Sequence, residues 1–310
     1  MKRRINAIAL ILCSLAIILL GTHSVANTQE SQFLTGKFPD ISGLAWLEGD
    51  KFIAVHDAKN FQSDIQPRAT LIELPQSSRG IFWRFLNLNW NDSSEIAQDL
   101  ESISRIPNTQ YFLLAESGSL GQQFARIFLA QYQQPQLKII AFTRFPTPVS
   151  NVEGTAVAKV GEQLIFLYAE RAEGKPATEI RWASLSLQPL KIGSIEEVTF
   201  TNPIPGDSEV RLISAMEIDR ESRLYVASTS DPGNKGPFSS IIWQIGAIAE
   251  NENGKPQIVL CDTPKRLANV DGFKVEGLAI RELNNSKGEI FVGVDDENYG
   301  GTIRPLPISF

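Results

Sequence analysis

The sequence predicts an all-β chain folded as a five-bladed β-propeller, with four antiparallel strands in each blade. Three observations predict it. One short unit recurs five times: Ile41–Asp57 (ISGLAWLEGDKFIAVHD), Leu100–Glu116 (LESISRIPNTQYFLLAE), Val152–Glu170 (VEGTAVAKVGEQLIFLYAE), Ile213–Thr229 (ISAMEIDRESRLYVAST) and Lys274–Asp295 (KVEGLAIRELNNSKGEIFVGVD). Each copy carries a serine or a glutamate at its second or third position, turns in its middle, and ends an apolar strand on an acid or a hydroxyl. Anchored on Ser42, Glu101, Glu153, Ser214 and Glu276, the copies are 59, 52, 61 and 62 residues apart. That period suits one four-stranded sheet per repeat, arranged radially. The third observation is negative: no stretch of the mature chain has a sustained helical period, and the apolar runs are short and rich in β-branched and aromatic residues.

The elements follow in order. The first unit divides into strands at Ile41–Leu47, Phe52–Asp57, Arg68–Leu74 and Gly80–Leu88. The second gives Leu100–Ile106, Tyr111–Glu116, Phe124–Gln131 and Gln136–Phe142, and the third Val152–Lys159, Leu164–Glu170, Glu179–Leu187 and Ile192–Phe200. The fourth offers Leu212–Ile218, Arg223–Thr229, Ser239–Ile245 and Gln257–Cys261. The fifth has Lys274–Arg281, Glu289–Asp295 and Thr302–Pro307, and then the chain ends. Its missing strand is expected from residues near Phe33–Phe38, which would close the ring and remove a sheet edge. Pro107-Asn108, Asn253-Gly254 and Lys287-Gly288 place turn formers at strand junctions.

Residues 1–26 read as a secretory signal peptide: Lys2, Arg3 and Arg4, then an apolar run from Ile8 to Leu20, then the small-x-small site Ser24-Val25-Ala26. An uncleaved anchor is the alternative. Cleavage predicts a secreted or periplasmic chain, 27–310, forming one propeller domain. It leaves 26 basic against 35 acidic residues, a net −9, which argues against nucleic acid and anionic membranes as partners. His56 and Cys261 are the histidine and cysteine that remain, which excludes an internal disulfide and a Cys/His zinc site. The chain is expected to be a monomer.

In a propeller the first strand of each blade lines the central channel. The anchors Ser42, Glu101, Glu153, Ser214 and Glu276 therefore converge at one channel mouth. Three crowded carboxylates repel, and a cation relieves this. Ligands that are all oxygen favour calcium or magnesium, and five side chains completed by water suit calcium. The alternative is a latch in which each anchor bonds the neighbouring backbone. Outside this ring, second strands end in Asp57, Glu116, Glu170 and Asp295, and third strands open near Arg68, Arg126, Arg181 and Arg304. These are either hairpin ion pairs or a cationic grip for an anion. The acidic run Asp295-Asp296-Glu297-Asn298 reads as a solvated loop, or as a second calcium loop. His56 reads as a rim side chain rather than a base. Gly206-Asp207-Ser208 has no strand-to-helix elbow and carries no weight.

The E-G-L-A opening of the first strand and the terminal acid of the second resemble the secreted phytase-like propellers, including the family described as esterase-like phytase. The order Ser42, Glu101, Glu153, Ser214, Glu276 is similar to the calcium ring of the five-bladed calcium-activated nucleotidases, the soluble apyrases. These resemblances imply those five residues as metal ligands. Two functions are then expected. One is a calcium-dependent phosphohydrolase acting on a small phosphorylated ligand, with Arg68, Arg126, Arg181 and Arg304 orienting it and Asp57 or Glu116 positioning water. The other is a non-catalytic binding propeller with a structural ion in its channel.

Overall fold

The computed structural model describes residues 39–57, 68–75, 81–90, 96–171, 177–201, 203, 213–233, 235–283, 287–297 and 300–309. Their strands form five sheets. The first contains β1 (Gly43–Glu48), β2 (Lys51–Val55), β3 (Ala69–Glu73) and β4 (Phe82–Phe85) in that order. A short β5 (Asn87–Asn89) leaves for the second sheet. There it lies outside β6 (Leu100–Arg105), β7 (Tyr111–Glu116), β8 (Arg126–Gln133) and β9 (Gln136–Arg144). In the third, β10 (Val152–Val160), β11 (Gln163–Glu170) and β12 (Ala177–Leu187) are followed by β13 (Leu190–Ile192) and β14 (Glu196–Thr201), both paired with β12. The fourth contains β15 (Ala215–Ile218), β16 (Arg223–Ser230), β17 (Ser239–Glu250) and β18 (Pro256–Asp271). The fifth contains β19 (Val275–Glu282), β20 (Gly288–Val294) and β21 (Thr302–Ser309).

The innermost strands close a ring: β1 packs on β6, β6 on β10, β10 on β15, β15 on β19, and β19 on β1. Five apolar cores fill the gaps between neighbouring blades. Between the fifth and first blades, for example, Ile41, Leu44 and Phe52 pack against Ala279, Phe291 and Ile303. The Phe52 and Phe291 rings lie 4.7 Å apart. Between the third and fourth, Leu167 and Trp182 meet Met216, Val226 and Trp243. Each fully buried large side chain contributes about 1.5–3 kcal/mol, so each blade is held mainly by its neighbours. The glycine that follows an anchor shows how close the blades come. A Cβ on Gly154 would lie 2.7 Å from Met216 Cγ, and one on Gly277 2.7 Å from Leu44 Cβ.

Three details differ from the expectation. The stretch Gly80–Leu88 is not one strand: Leu86 N makes a last bond to Ala69 O (2.9 Å), and residues 87–89 then pair in parallel with residues 136–138 of β9. The second blade consequently holds five strands rather than four, and the third also holds five because β13 and β14 both pair with β12. The fifth holds three among the described residues, and its expected fourth, Phe33–Phe38, lies outside them, as do the expected signal peptide, residues 1–26, and Gly206-Asp207-Ser208. Just before β1 the chain runs along the last blade, with Ile41 N donating to Val294 O (3.1 Å).

Candidate functional site

The three glutamate anchors share a local device. The β6/β7 register shifts between Leu100 and Ser102, the β10/β11 register between Val152 and Gly154, and the β19/β20 register between Val275 and Gly277. The residue skipped each time is Glu101, Glu153 or Glu276. A bulged residue leaves the ladder and its side chain is re-aimed. The three carboxylates converge, each offering an oxygen within 4.8 Å of the others, and all three are buried. Glu101 also belongs to a second group of the same closeness, with Asp57 and Asp99.

The two serine anchors behave differently. Ser42 Oγ accepts a bond from Asp57 N (3.0 Å). Ser214 Oγ donates to Val275 O (2.7 Å) and meets Thr229 Oγ1 (2.9 Å). Thr229 in turn contacts Ser240 Oγ (2.8 Å), which takes a bond from Val275 N (3.0 Å). The hydroxyls of the fourth blade thus form a backbone latch, while the glutamates form an acidic centre.

Two cations enter that centre which the sequence reading did not include. Arg171 Nη2 lies 2.8 Å from both Glu153 Oε1 and Glu276 Oε1. Lys274 Nζ lies 2.6 Å from Glu297, 3.0 Å from Asp295, 3.1 Å from Glu276 and 3.5 Å from Asp231. Burial works against the Lys274 ammonium, but Glu276, Asp295 and Glu297 outweigh it and hold it protonated. The run Asp295–Glu297 is therefore not a solvated loop. Asp295 and Asp296 are buried, and Asp296 Oδ1 accepts Lys274 N (2.9 Å). Asp99 was also missed. Its Oδ2 takes the hydroxyls of Ser117 and Ser119, while its buried Oδ1 has no hydrogen-bond partner among the described residues.

The charge is unevenly spread. Burial pushes Glu101 well above the usual carboxylate range, and Glu153, Asp57, Asp99 and Glu276 push the same way. Glu276 is also raised by burial, but Lys274 and Arg171 oppose it. The Glu153–Glu276 side is thus met by protein cations, and the carboxyls of Asp57, Asp99 and Glu101 crowd together beside it.

The outer ring is only partly as expected. Arg126 grips Glu116 with two bonds, Nε–Oε2 at 2.5 Å and Nη2–Oε1 at 2.9 Å, and both side chains are buried. Arg181 pairs with Glu170 at 2.8 Å and with Glu197 at 3.2 Å. Asp295 does not meet Arg304: it is taken by Lys274, and Arg304 lies over the Phe273 ring, 3.7 Å from its centre. His56 is a core residue, 4% exposed, not a rim side chain. Its Nδ1 lies 2.6 Å from Asp40 O and its Nε2 contacts Thr70 Oγ1. Burial lowers its pKa to about 4.

No family model matches the chain, and no curated protein matches its sequence. Solved structures do match in fold. An endo-1,4-β-xylanase from Bacteroides thetaiotaomicron superposes with a TM-score of 0.55 at 8% identity, over 90% of this chain and 98% of that one. An exo-1,5-α-L-arabinanase from a bovine ruminal metagenomic library gives 0.53 at 13% identity, over 89% and 96%. A family 43 β-1,3-galactosidase gives 0.50 at 12% identity, over 88% and 94%. At these identities the likeness establishes the five-bladed fold. The phytase-like family gains no support from these comparisons. Nor does the phosphate grip: Arg126 and Arg181 are committed to carboxylates, and Glu116 is locked in the first of those pairs.

Proposed function

We propose that this chain is a calcium-binding propeller, with the ion held at the acidic corner formed by Asp57, Asp99 and Glu101. Glu153 and Glu276 lie beside it. The observation that carries the reading is the buried Asp99 Oδ1, which has no hydrogen-bond partner among the described residues and belongs to a group of three acids. A buried carboxylate oxygen without a donor is costly, and a hard cation would satisfy it. The donors are all oxygen, as calcium prefers. Arg171 and Lys274 occupy the other side, so the ion belongs at the corner rather than at the centre of the five anchors. Once bound, the ion would supply a positive charge able to polarise a ligand oxygen. Export through the leader would place the site in a compartment outside the cytoplasm. No helix among the described residues is long and apolar enough to cross a membrane.

The test is thermal unfolding of the purified chain against calcium, magnesium and chelator. At a hundredfold excess of calcium over its Kd the folded state gains about 2.7 kcal/mol. Asp99→Asn should abolish that gain. Melting that ignores both calcium and chelator would overturn the proposal.

A second reading, glycoside hydrolysis, is favoured by a separate observation: Glu101 is held toward its protonated form beside other carboxylates. An acid with a raised pKa next to an ionised partner is the pairing that cleaves glycosidic bonds. Three fold neighbours are a xylanase, an arabinanase and a galactosidase by name. Turnover of xylan, arabinan or galactan that survives chelation and disappears in Glu101→Gln would put this reading first.

A further inference from the structure

The acidic centre sits where the innermost strands begin. At their other ends, about 13 Å farther along at 3.3 Å per residue, the channel opens into a cavity of about 610 Å³. All five blades contribute to it, including Trp46, Arg105, Val157, Glu217, Ile280 and Glu282. Trp46, Arg105, Val157 and Ile280 stand four residues on from their anchors, so the repeat itself builds this mouth.

The cavity's charged groups divide into committed and uncommitted. Lys159 is taken by Glu162 (3.2 Å) and Arg220 by Glu221 (3.2 Å). Asp219 is spent on Arg223 Nε (2.5 Å) and Tyr225 Oη (2.9 Å). Arg105 lies over the Trp46 ring at 5.1 Å and uses Nε on Thr109 O (3.1 Å). Its two terminal nitrogens make no hydrogen bond to a described residue. Glu217 uses one oxygen to accept Ile218 N (2.9 Å), and Glu282 makes no hydrogen bond among the described residues. What remains is one guanidinium fork and two carboxyls, between apolar walls from Trp46, Val157, Ala158, Ile218 and Ile280.

We infer that this second channel mouth binds a small apolar zwitterion, an amino acid or dipeptide, with its carboxylate on Arg105 and its ammonium between Glu217 and Glu282. A guanidinium fork matches a carboxylate with two parallel bonds. The volume falls in the range of small-molecule sites. Burial raises Glu217 to about 8, with Glu282 and Asp219 adding to it while the Ile218 N–H and Arg105 oppose. A ligand ammonium placed beside this carboxyl would draw it back toward its ionised form.

The experiment is calorimetric titration of the whole purified chain with L-leucine and with leucyl-leucine. Acetyl-leucine, lacking the ammonium, and leucinamide, lacking the carboxylate, are the single-charge probes. At least one zwitterion should bind, and each single-charge probe should bind it at least tenfold more weakly. Arg105→Gln and Glu217→Gln, checked for native melting, should each weaken the zwitterion at least tenfold, whereas Asp99→Asn at the other mouth should leave it unchanged. No heat from either zwitterion, or equal affinity for the single-charge probes, overturns the assignment on the wild-type chain alone.

Discussion

Removing Arg126 tests whether the Glu116–Arg126 pair is structural. In the folded chain the guanidinium makes two bonds to Glu116 and a third to Ile96 O (3.1 Å), and lies 5.1 Å from the Phe128 ring centre and 5.6 Å from that of Phe124. Arg126→Ala would leave a fully buried carboxylate with Gln98 N (2.6 Å) as its remaining donor among the described residues. Breaking one side of a buried ion pair costs about 3–5 kcal/mol. For a domain of this size that is a fall in Tm of roughly 6–20 °C. Burial already raises the Glu116 pKa, against the pull of Arg126, and the variant removes that pull. A carboxyl with a raised folded pKa is penalised while ionised and relieved on protonation. The loss should therefore be greatest near pH 8 and shrink toward pH 5. Arg126→Ala/Glu116→Gln, which removes the stranded charge, should be more stable than Arg126→Ala. Urea unfolding at several pH values measures this. A loss under about 1 kcal/mol, or a double variant no better than the single, would refute the reasoning.

Three further outcomes are expected. His56 has a folded pKa near 4 against an ordinary value of 6.5, so between those values the unfolded chain holds the extra proton and stability falls as pH falls, by up to about 3 kcal/mol. His56→Gln should flatten the stability curve across that window, and an unchanged curve would count against a buried neutral imidazole. Gly277→Ala places a methyl against Leu44 at the closure between the last and first blades and should cost about 1–3 kcal/mol in urea unfolding. Lys274→Met leaves Glu276, Asp295 and Glu297 facing one another and should destabilise by about 3–5 kcal/mol, more at pH 8 than at pH 5, as thermal melting would show.

Much of the fold was legible because the repeat writes the blade into the sequence. The strands Tyr111–Glu116 and Leu164–Glu170 were read to within a residue of β7 and β11, since apolar alternation and flanking turns agree there. The break at Leu86 was not legible: Gly80–Leu88 is continuously strand-like, and its division depends on β9, fifty residues later, offering an edge. The convergence of Glu101, Glu153 and Glu276 followed from their shared place in the repeat. Their bulges did not, because a bulge is a mismatch between two strands and one strand cannot display it. The further charged residues of the centre had a weak signal. Asp99 stands two residues before Glu101, and Lys274 two before Glu276, a spacing that keeps side chains on the same side of an extended chain. Arg171 follows the acid that ends its strand, and the reading stopped at that acid.

The departure of β5 from the first sheet has a consequence for how the molecule can come apart. β5 lies on the outer edge of the second blade, whereas β6 begins at the channel. Trp90, just after β5, packs on Phe128 with ring centres 5.1 Å apart. Residues 96–99, just before β6, belong to no strand. Ile96 O and Gln98 N are fastened to the Arg126–Glu116 pair, and Asp99 O accepts Ser117 N (3.2 Å). The third acid of the corner is thus held mainly by side-chain bonds at the start of the blade. Such a segment can open locally while all five sheets stay intact. In amide hydrogen exchange the amides of residues 96–99 should open together and well before those of β6–β8, and a bound cation should be what slows them.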